Sequence, residues 1–121
     1  MRVLASNDGL LTNLEVLDLL RERTGEHGVV PTYPQPHDPF PTEMQCYDAL
    51  RRGGCGEASR ASAIKFIDAI APIALTPGEV LQVMNIRPRS APCVHAIVDK
   101  CAERLNESEV EDLIALVEEF L

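Results

Sequence analysis

Residues 75–88, LTPGEVLQVMNIRP, contain the clearest start and end of a helix in this sequence. Thr76 is a typical N-cap residue, Pro77 is favoured at the first helical position, and Glu79 completes a capping box. Pro88 cannot continue a helix. The stretch therefore predicts a helix that begins after Thr76 and ends before Pro88.

Similar start signals recur on both sides of this stretch. They are Thr12 with Glu15, Thr42 with Gln45, Ser90, and Asn106 with Glu109. They predict helices over about 12–23, 42–52, 91–105 and 107–121, and a further helix over 57–71 places Ile64, Phe66, Ile67 and Ile70 on one side. No convincing strand pattern occurs, although residues 1–5 could form one short strand. The predicted fold class is all-α, with five or six helices.

The first of these helices has an unusually broad apolar surface. Leu14, Val16, Leu17, Leu19 and Leu20 cover an arc of roughly 220° when placed at 100° per residue. A surface helix usually buries a stripe nearer to 100° in width. We therefore expect this helix to pack on two sides, one against its own core and the other against a partner.

A proline-rich segment divides the chain. Five prolines fall within residues 31–41, which excludes a regular helix there and favours an extended connector. The predicted division is 1–28 for the N-terminal segment and first helix, 29–41 for the connector, and 42–121 for a helical bundle. The alternative role for the connector is a ligand for SH3-like or WW domains.

The composition excludes several classes of protein. The chain has 121 residues and a net charge of −8, which disfavours a free-standing nucleic-acid binder. No apolar run is long enough to predict a membrane span. The N-terminus has no secretory signal pattern, so we expect the four cysteines to be free thiols.

No combination of side chains predicts catalysis or metal binding. Cys93 and His95 would lie about 200° apart on a helix, so they cannot form a catalytic pair. Cys101 shares a side with apolar residues and is predicted to be a buried structural thiol. Residues 53–56, GGCG, lack the Lys-Ser/Thr of a phosphate-binding loop. We therefore expect no catalytic residue, no cofactor and no metal.

The C-terminal part of the chain is strongly acidic. Residues 99–121 contain eight acidic and two basic residues, a net charge of −6. Glu111, Asp112, Glu118 and Glu119 follow helical spacing. A solvated helix face explains such a pattern, and a docking surface for a basic partner is the alternative.

Two stretches resemble a known family. Residues 10–20, LLTNLEVLDLL, and residues 75–88, continuing to Glu103-Arg104-Leu105, are similar to the small helical stalk subunits of RNA polymerases. This family includes the small stalk protein of RNA polymerase II and its archaeal counterpart. The L-T-x-x-E-x-L-Q-x-x-N-x-R-P pattern, and the position of L-L-T-N-x-E-V about ten residues from the start, resemble the RNA polymerase III branch.

The resemblance implies a non-catalytic subunit whose C-terminal bundle is like a helicase-and-RNase-D C-terminal (HRDC) domain. It implies a heterodimer with a larger, OB-fold-containing stalk subunit, attached to the RNA polymerase III core in the nucleus. Such a stalk acts in initiation at genes for tRNA, 5S rRNA and other small RNAs. It contacts initiation factors, and it reaches nascent RNA mainly through the larger subunit.

Two sets of residues follow from these arguments. The predicted partner-binding residues are Val3, Leu4, Leu10, Leu11, Leu14, Val16, Leu17 and Leu20. Residues 2–4 are expected to add an edge strand to a sheet of the partner. The motif residues interpreted as structural are Thr76, Pro77, Glu79, Asn85, Arg87 and Pro88. Cys93 departs from the family, which often has an acidic residue there.

Three alternatives remain open at this point. The chain could be the stalk subunit of a polymerase of the RNA polymerase II or archaeal type. It could be a free-standing HRDC-type nucleic-acid-binding module, which the charge of −8 disfavours. It could also be a general adaptor that uses its proline-rich connector to bind unrelated proteins.

Overall fold

The computed structural model describes residues 2–6, 9–24, 41–55 and 57–121. These residues form seven helices and no strand, which confirms the all-α fold class. The helices are α1 (Asn13–Thr24), α2 (Pro41–Arg52), α3 (Arg60–Ile70), α4 (Pro77–Ile86), α5 (Ala91–Ile97), α6 (Cys101–Arg104) and α7 (Glu107–Phe120). None of the seven is long and apolar enough to cross a membrane. The predicted connector lies outside the described residues except for Pro41, which begins α2.

Three helices begin at the capping boxes that the sequence predicts. In each, the backbone N–H of the cap donates to a glutamate three residues later, and the cap side chain accepts from the backbone N–H of that glutamate. The respective distances are 2.8 and 3.2 Å for Thr12 with Glu15, 2.8 and 3.3 Å for Thr76 with Glu79, and 2.9 and 2.8 Å for Asn106 with Glu109. Two otherwise unpaired donors are satisfied at each helix start.

Two other helix starts differ from the prediction. The second helix begins at Pro41, so Thr42 lies inside it instead of capping it. Proline is well suited to this place because it has no N–H to leave unpaired in the first turn. The third helix begins after Ser59, whose side chain accepts from the backbone N–H of Ser62 at 3.1 Å. The reciprocal serine pair performs the role of a capping box without a glutamate.

The predicted helix over residues 91–105 is broken into α5 and α6, which explains why there are seven helices. Val98 is extended, and Lys100 has a left-handed backbone with φ of 48°. Between them, the backbone N–H of Asp99 donates to Glu79 Oε1 at 3.1 Å. The side chain of α4 thus takes a donor that an unbroken helix would use itself. The acceptor, Glu79, lies 20 residues from Asp99, so local sequence does not reveal this hydrogen bond.

The main core lies among the last five helices. Its buried members are Phe66, Ile70, Val83, Val94, Val98, Cys101, Leu105, Val110, Leu113 and Val117. Helix α7 packs along α3 and also contacts α5. Because the core side chains are mostly aliphatic, its stability comes from close packing and from apolar area removed from water.

A second, smaller cluster joins α1 to α2. Leu17 and Leu20 of α1 are buried against Tyr47 of α2 and Cys55. An ion pair between Arg23 and Glu43, 2.8 Å from Nη2 to Oε1, links the same two helices. Tyr47, the buried residue of α2, therefore packs with α1 and not in the main core. The domain division at residue 42 and the HRDC-like character of the bundle stay predictions.

Two side chains near the end of α4 connect the small cluster to the main core. Asn85 Oδ1 accepts from the backbone N–H of Asn13, the first residue of α1, at 2.9 Å. Arg87 Nη1 donates to the carbonyl of Gly54 at 2.9 Å and lies 3.8 Å from Glu57 Oε2. Arg87 itself adopts a left-handed conformation with φ of 53° and ends α4. The LTPGEVLQVMNIRP stretch thus holds together the start of α1, the end of α2 and the bundle.

Candidate partner interface

The residues that precede α1 expose large aliphatic side chains. Val3 is 69% exposed, Leu4 is 89%, Leu10 is 74% and Leu11 is 53%. None of the four belongs to either buried cluster. The predicted short strand is absent from residues 2–6 of this structure. Four apolar side chains close together in sequence and open to solvent are typical of a surface that another protein covers.

The apolar residues of α1 are mostly internal. Leu14, Leu17 and Leu20 are buried within the chain itself, and Val16 is half-buried against the small cluster. Helix α2 covers one side of the broad arc, and Leu14 turns toward α3 and α4. These buried side chains are not free to meet a partner directly. The partner-binding hypothesis therefore rests on Val3, Leu4, Leu10 and Leu11.

A groove of about 300 Å³ runs between α1, α3 and α4. Its apolar lining comes from all three helices and consists of Leu14, Ala63, Ile64, Ile67, Pro77, Val80, Leu81 and Met84. Ile64 and Ile67 remain 54% and 47% exposed, whereas Phe66 and Ile70 of the same helix are buried. The sequence interpretation, which put all four on one side, is wrong for Ile64 and Ile67. Ile64 lies about 200° and Ile67 about 100° around the helix from Phe66, so the spacing along the helix could have indicated that their burial differs.

Three charged side chains belong to the lining of the groove. Glu15 and Asp18 of α1 and Arg60 of α3 contribute to its lining. Hydrogen bonds from the backbone and the hydroxyl of Thr12 lower the pKa of Glu15, and the charge of Arg60 adds to this effect. Asp18 Oδ1 lies 3.4 Å from Arg21 Nη1. The groove thus combines an aliphatic interior with two carboxylates and one guanidinium at its margin.

Glu79 is a buried carboxylate held by several donors. Arg104 Nη1 donates to its Oε1 at 2.7 Å, and Arg104 Nη2 donates to its Oε2 at 3.0 Å. The backbone N–H groups of Thr76 and Asp99 also donate to it. The Arg104 hydrogen bonds are the largest cause of the lowering of the Glu79 pKa to about 2, and the backbone donors add to them.

The same arginine also fastens a loop. Arg104 Nη2 donates to the carbonyl of Ala74 at 2.7 Å, and Arg104 Nη1 donates to that of Asp99 at 3.0 Å. Each of these hydrogen bonds from Arg104 is accepted by a group of the same chain. The arrangement joins α4 to α6 and holds the turn between α5 and α6, so we interpret Glu79 and Arg104 as structural.

The cysteines and histidine singled out from the sequence are not assembled into a reactive site. Cys101 is buried, as predicted, and burial raises the pKa of its thiol. Cys93 is exposed, and its sulfur accepts from Ser90 Oγ at 3.2 Å. His95 is exposed on α5. Within the described part of the chain, no three His, Cys, Asp or Glu side chains are grouped as metal ligands would be.

The acidic residues of α7 lie on its outer face. Glu111, Asp112, Glu118 and Glu119 are all exposed, while Val110, Leu113 and Val117 of the same helix are buried in the main core. This pattern is that of an amphipathic helix with a solvated side. Whether a basic partner docks there stays a prediction.

Comparison with known proteins places the chain in a family. The family model described as RNA polymerase Rpb4 matches residues 10–121. The DNA-directed RNA polymerase III subunit rpc9 of Schizosaccharomyces pombe is 31% identical over 131 residues. That alignment covers 99% of this chain and 96% of the yeast protein. The match includes every helix of the structure.

Proposed function

Because this chain belongs to the RNA polymerase Rpb4 family, we propose that it is the small, non-catalytic stalk subunit of RNA polymerase III. The likeness to the fission yeast RNA polymerase III subunit extends over nearly the full length of both proteins. The structure is consistent with an accessory role, since its buried charged network serves to hold helices together. Its surface features favour contact with another protein over chemistry on a small substrate.

The proposed partner is the larger, OB-fold-containing subunit of the stalk. The heterodimer would be carried by the polymerase core in the nucleus, where it acts in initiation at genes for tRNA, 5S rRNA and other small RNAs. Initiation factors are further proposed partners. Nascent RNA is reached mainly through the larger subunit, because a chain with a net charge of −8 repels a phosphate backbone.

The observation that carries this proposal is the exposed aliphatic segment before α1. Val3, Leu4, Leu10 and Leu11 are open to solvent and belong to neither of the two apolar clusters that the described residues form. Covering them with a partner removes their apolar area from water, which favours association. We propose that they form the main contact with the larger stalk subunit and that residues 2–4 pair with an edge of its sheet.

Coexpression with the larger stalk subunit tests this function. Leu10→Asp combined with Leu11→Asp should weaken the heterodimer by at least about 100-fold, because a carboxylate would have to be buried without a partner. Glu111→Ala with Asp112→Ala, on the exposed face of α7, is the matched control and should change affinity by less than about threefold. Affinity is measured by isothermal titration calorimetry after circular dichroism has shown both variants to be folded. Full binding by the leucine variant, with loss in the α7 variant, would place the interface at the C-terminal helix.

A further inference from the structure

We propose that Ser90 is a phosphorylation site for a protein kinase that selects arginine before the acceptor residue. The transferred group is the γ-phosphoryl group of ATP. The bond between the γ-phosphorus and its bridging oxygen breaks, a bond to Ser90 Oγ forms, the hydroxyl proton passes to a carboxylate of the kinase, and ADP leaves. This modification site goes beyond the proposed function and does not depend on it.

Two stretches of the sequence place one arginine three residues before a hydroxyl and a second arginine directly before it. They are residues 21–24, RERT, and residues 87–90, RPRS. Arginine at these positions suits a kinase whose substrate groove is lined by carboxylates, because a guanidinium group pairs with a carboxylate through two hydrogen bonds. Sequence alone does not distinguish the two stretches.

The two stretches differ in backbone conformation. Residues 21–24 form the last turn of α1, where Arg23 is paired with Glu43 at 2.8 Å. Residues 87–90 instead join α4 to α5, and the backbone of Ser90 is extended, with φ of −152° and ψ of 151°. A kinase must align the acceptor hydroxyl with the γ-phosphorus of ATP. An acceptor outside a helix can reach that position without the unwinding that the end of α1 would need.

The hydroxyl of Ser90 is accessible and weakly held within the described part of the chain. Residues 89–93 are all exposed. The hydroxyl donates to Cys93 Sγ at 3.2 Å, a weak acceptor, and it does not cap α5. The side-chain oxygens of Ser59 and Thr76, by contrast, accept from backbone N–H groups at the starts of their helices. Modification of Ser90 therefore removes little that holds the fold together.

The two arginines of this stretch differ in accessibility. Arg89 is exposed, so a kinase can reach it directly. Glu118 of α7 lines the same depression, but it is also exposed, and solvent screening leaves the attraction between them small. Arg87 Nη1 donates to the carbonyl of Gly54 at 2.9 Å. A kinase that also selects Arg87 must exchange this hydrogen bond for a stronger, charge-assisted one to its own carboxylate.

The test is incubation of the full chain with ATP and the catalytic subunit of cAMP-dependent protein kinase, an arginine-selecting kinase. Mass spectrometry locates the phosphate. Ser90 should be phosphorylated at least about tenfold faster than Thr24, because the two stretches share their arginines but only one lies outside a helix. Ser90→Ala should remove most of the phosphate, and Thr24→Ala should remove little of it.

A second pair of variants tests recognition through arginine. Arg89→Glu should lower kcat/KM for phosphorylation of Ser90 at least about tenfold, since it places a carboxylate against those of the kinase. Lys65→Glu, at an exposed site on α3, changes the net charge equally and should stay within about twofold of the unmodified chain. Circular dichroism first establishes that each variant is folded.

Three results would overturn the proposal. The first is a chain that acquires no phosphate. The second is phosphate at Thr24 or at the exposed Ser108 in place of Ser90. The third is an equal loss of kcat/KM in Arg89→Glu and Lys65→Glu, which would show that overall charge and not the arginine beside Ser90 governs the reaction.

Discussion

The main core and the α1–α2 cluster are built from the same kind of residue but differ in size. Ten buried residues from α3–α7 and the turns between them form the main core, whereas Leu17, Leu20, Tyr47 and Cys55 form the small cluster. A larger enclosed core removes more apolar area from water and shares it among more elements. Most of the folding free energy should therefore lie in α3–α7.

The difference in size between the two buried clusters bears on the proposed function. The proposed contact residues Val3, Leu4, Leu10 and Leu11 precede α1, which is part of the smaller cluster, and they belong to neither buried cluster. Regions with fewer buried contacts open at lower free energy than the centre of a fold. A partner that covers the N-terminal leucines would stabilise this weaker region, because a ligand that binds only the folded state adds its binding free energy to stability.

The largest effect on stability should come from truncating one buried leucine to alanine in each region. Leu113 of the main core and Leu17 of the small cluster are both fully buried, so leucine-to-alanine changes remove the same atoms. Leu113→Ala should lower the free energy of global unfolding by about 3–5 kcal/mol, since it leaves a cavity in the larger core. Urea denaturation measures this change.

Leu17→Ala should act more locally. We expect faster hydrogen exchange in α1 and α2, while the slowest amides of α3–α7 keep most of their protection. Hydrogen exchange with mass spectrometry compares the two variants. If Leu17→Ala reduced protection in α3–α7 as much as Leu113→Ala does, the two regions would unfold as one unit and the comparison would fail.

The next largest effect on stability concerns the hydrogen bonds between Glu79 and Arg104, which join helices of the main core to the loops between them. Glu79→Gln keeps the capping function of a side-chain oxygen but loses the charged hydrogen bonds from Arg104. Glu109→Gln is the matched control, because Glu109 forms a capping box in α7 and has no ion pair among the described residues. Glu79→Gln should lower Tm by several degrees, and Glu109→Gln by no more than about 2 °C. Equal Tm shifts for the two variants would show that capping alone accounts for the stabilising effect of Glu79.

The same carboxylate predicts a dependence on pH. Folding lowers the pKa of Glu79 from its usual 4.5 to about 2, so the folded state favours the ionised form. Its contribution to stability is present above about pH 4.5 and is lost as the pH falls toward 2. The Tm difference between the unmodified chain and Glu79→Gln should therefore shrink between pH 5 and about pH 2. A difference that stays constant over this range would contradict the stabilising role of the ionised carboxylate.

Local signals in the sequence predict the starts of three helices because their causes are local. Thr12, Thr76 and Asn106 each meet a glutamate three residues away, within the same turn. The break at residues 98–100 escapes such an analysis because the group that accepts from the Asp99 amide, Glu79, lies 20 residues away. The all-α fold class follows from the local capping signals, whereas the number of helices depends on the break at residues 98–100.

Sequence periodicity likewise does not predict which apolar side chains of the candidate surface are exposed. Periodicity identifies Leu14 and Leu17 as apolar, but it cannot say that helices of the same chain cover them. Ile64 and Phe66 lie about 200° apart around α3, and only Phe66, which belongs to the main core together with residues of α7, is buried. The exposed Leu10 and Leu11 precede the helix, so helical periodicity has no bearing on them. Their availability becomes known only from the three-dimensional arrangement.

The smallest predicted effect tests the link between the two regions. Asn85 Oδ1 accepts from the backbone N–H of Asn13, which is one of the donors that the first turn of α1 cannot satisfy itself. Asn85→Ala should cost about 0.5–1.5 kcal/mol, the usual net value of one hydrogen bond. Because the lost acceptor serves α1, hydrogen exchange should accelerate in residues 13–24 and change little in α3–α7.

Asn85→Asp is the control for this link. It keeps an oxygen acceptor at the same place, and a negative charge near the N-terminus of a helix is favourable by about 0.3–1 kcal/mol. Exchange in α1 should therefore stay close to that of the unmodified chain, although Glu15 nearby reduces the benefit through repulsion. If Ala and Asp accelerated exchange in α1 equally, the hydrogen bond would not be what joins α1 to α4. If the Ala variant instead loosened α3–α7, Asn85 would act within the main core and not between the two regions.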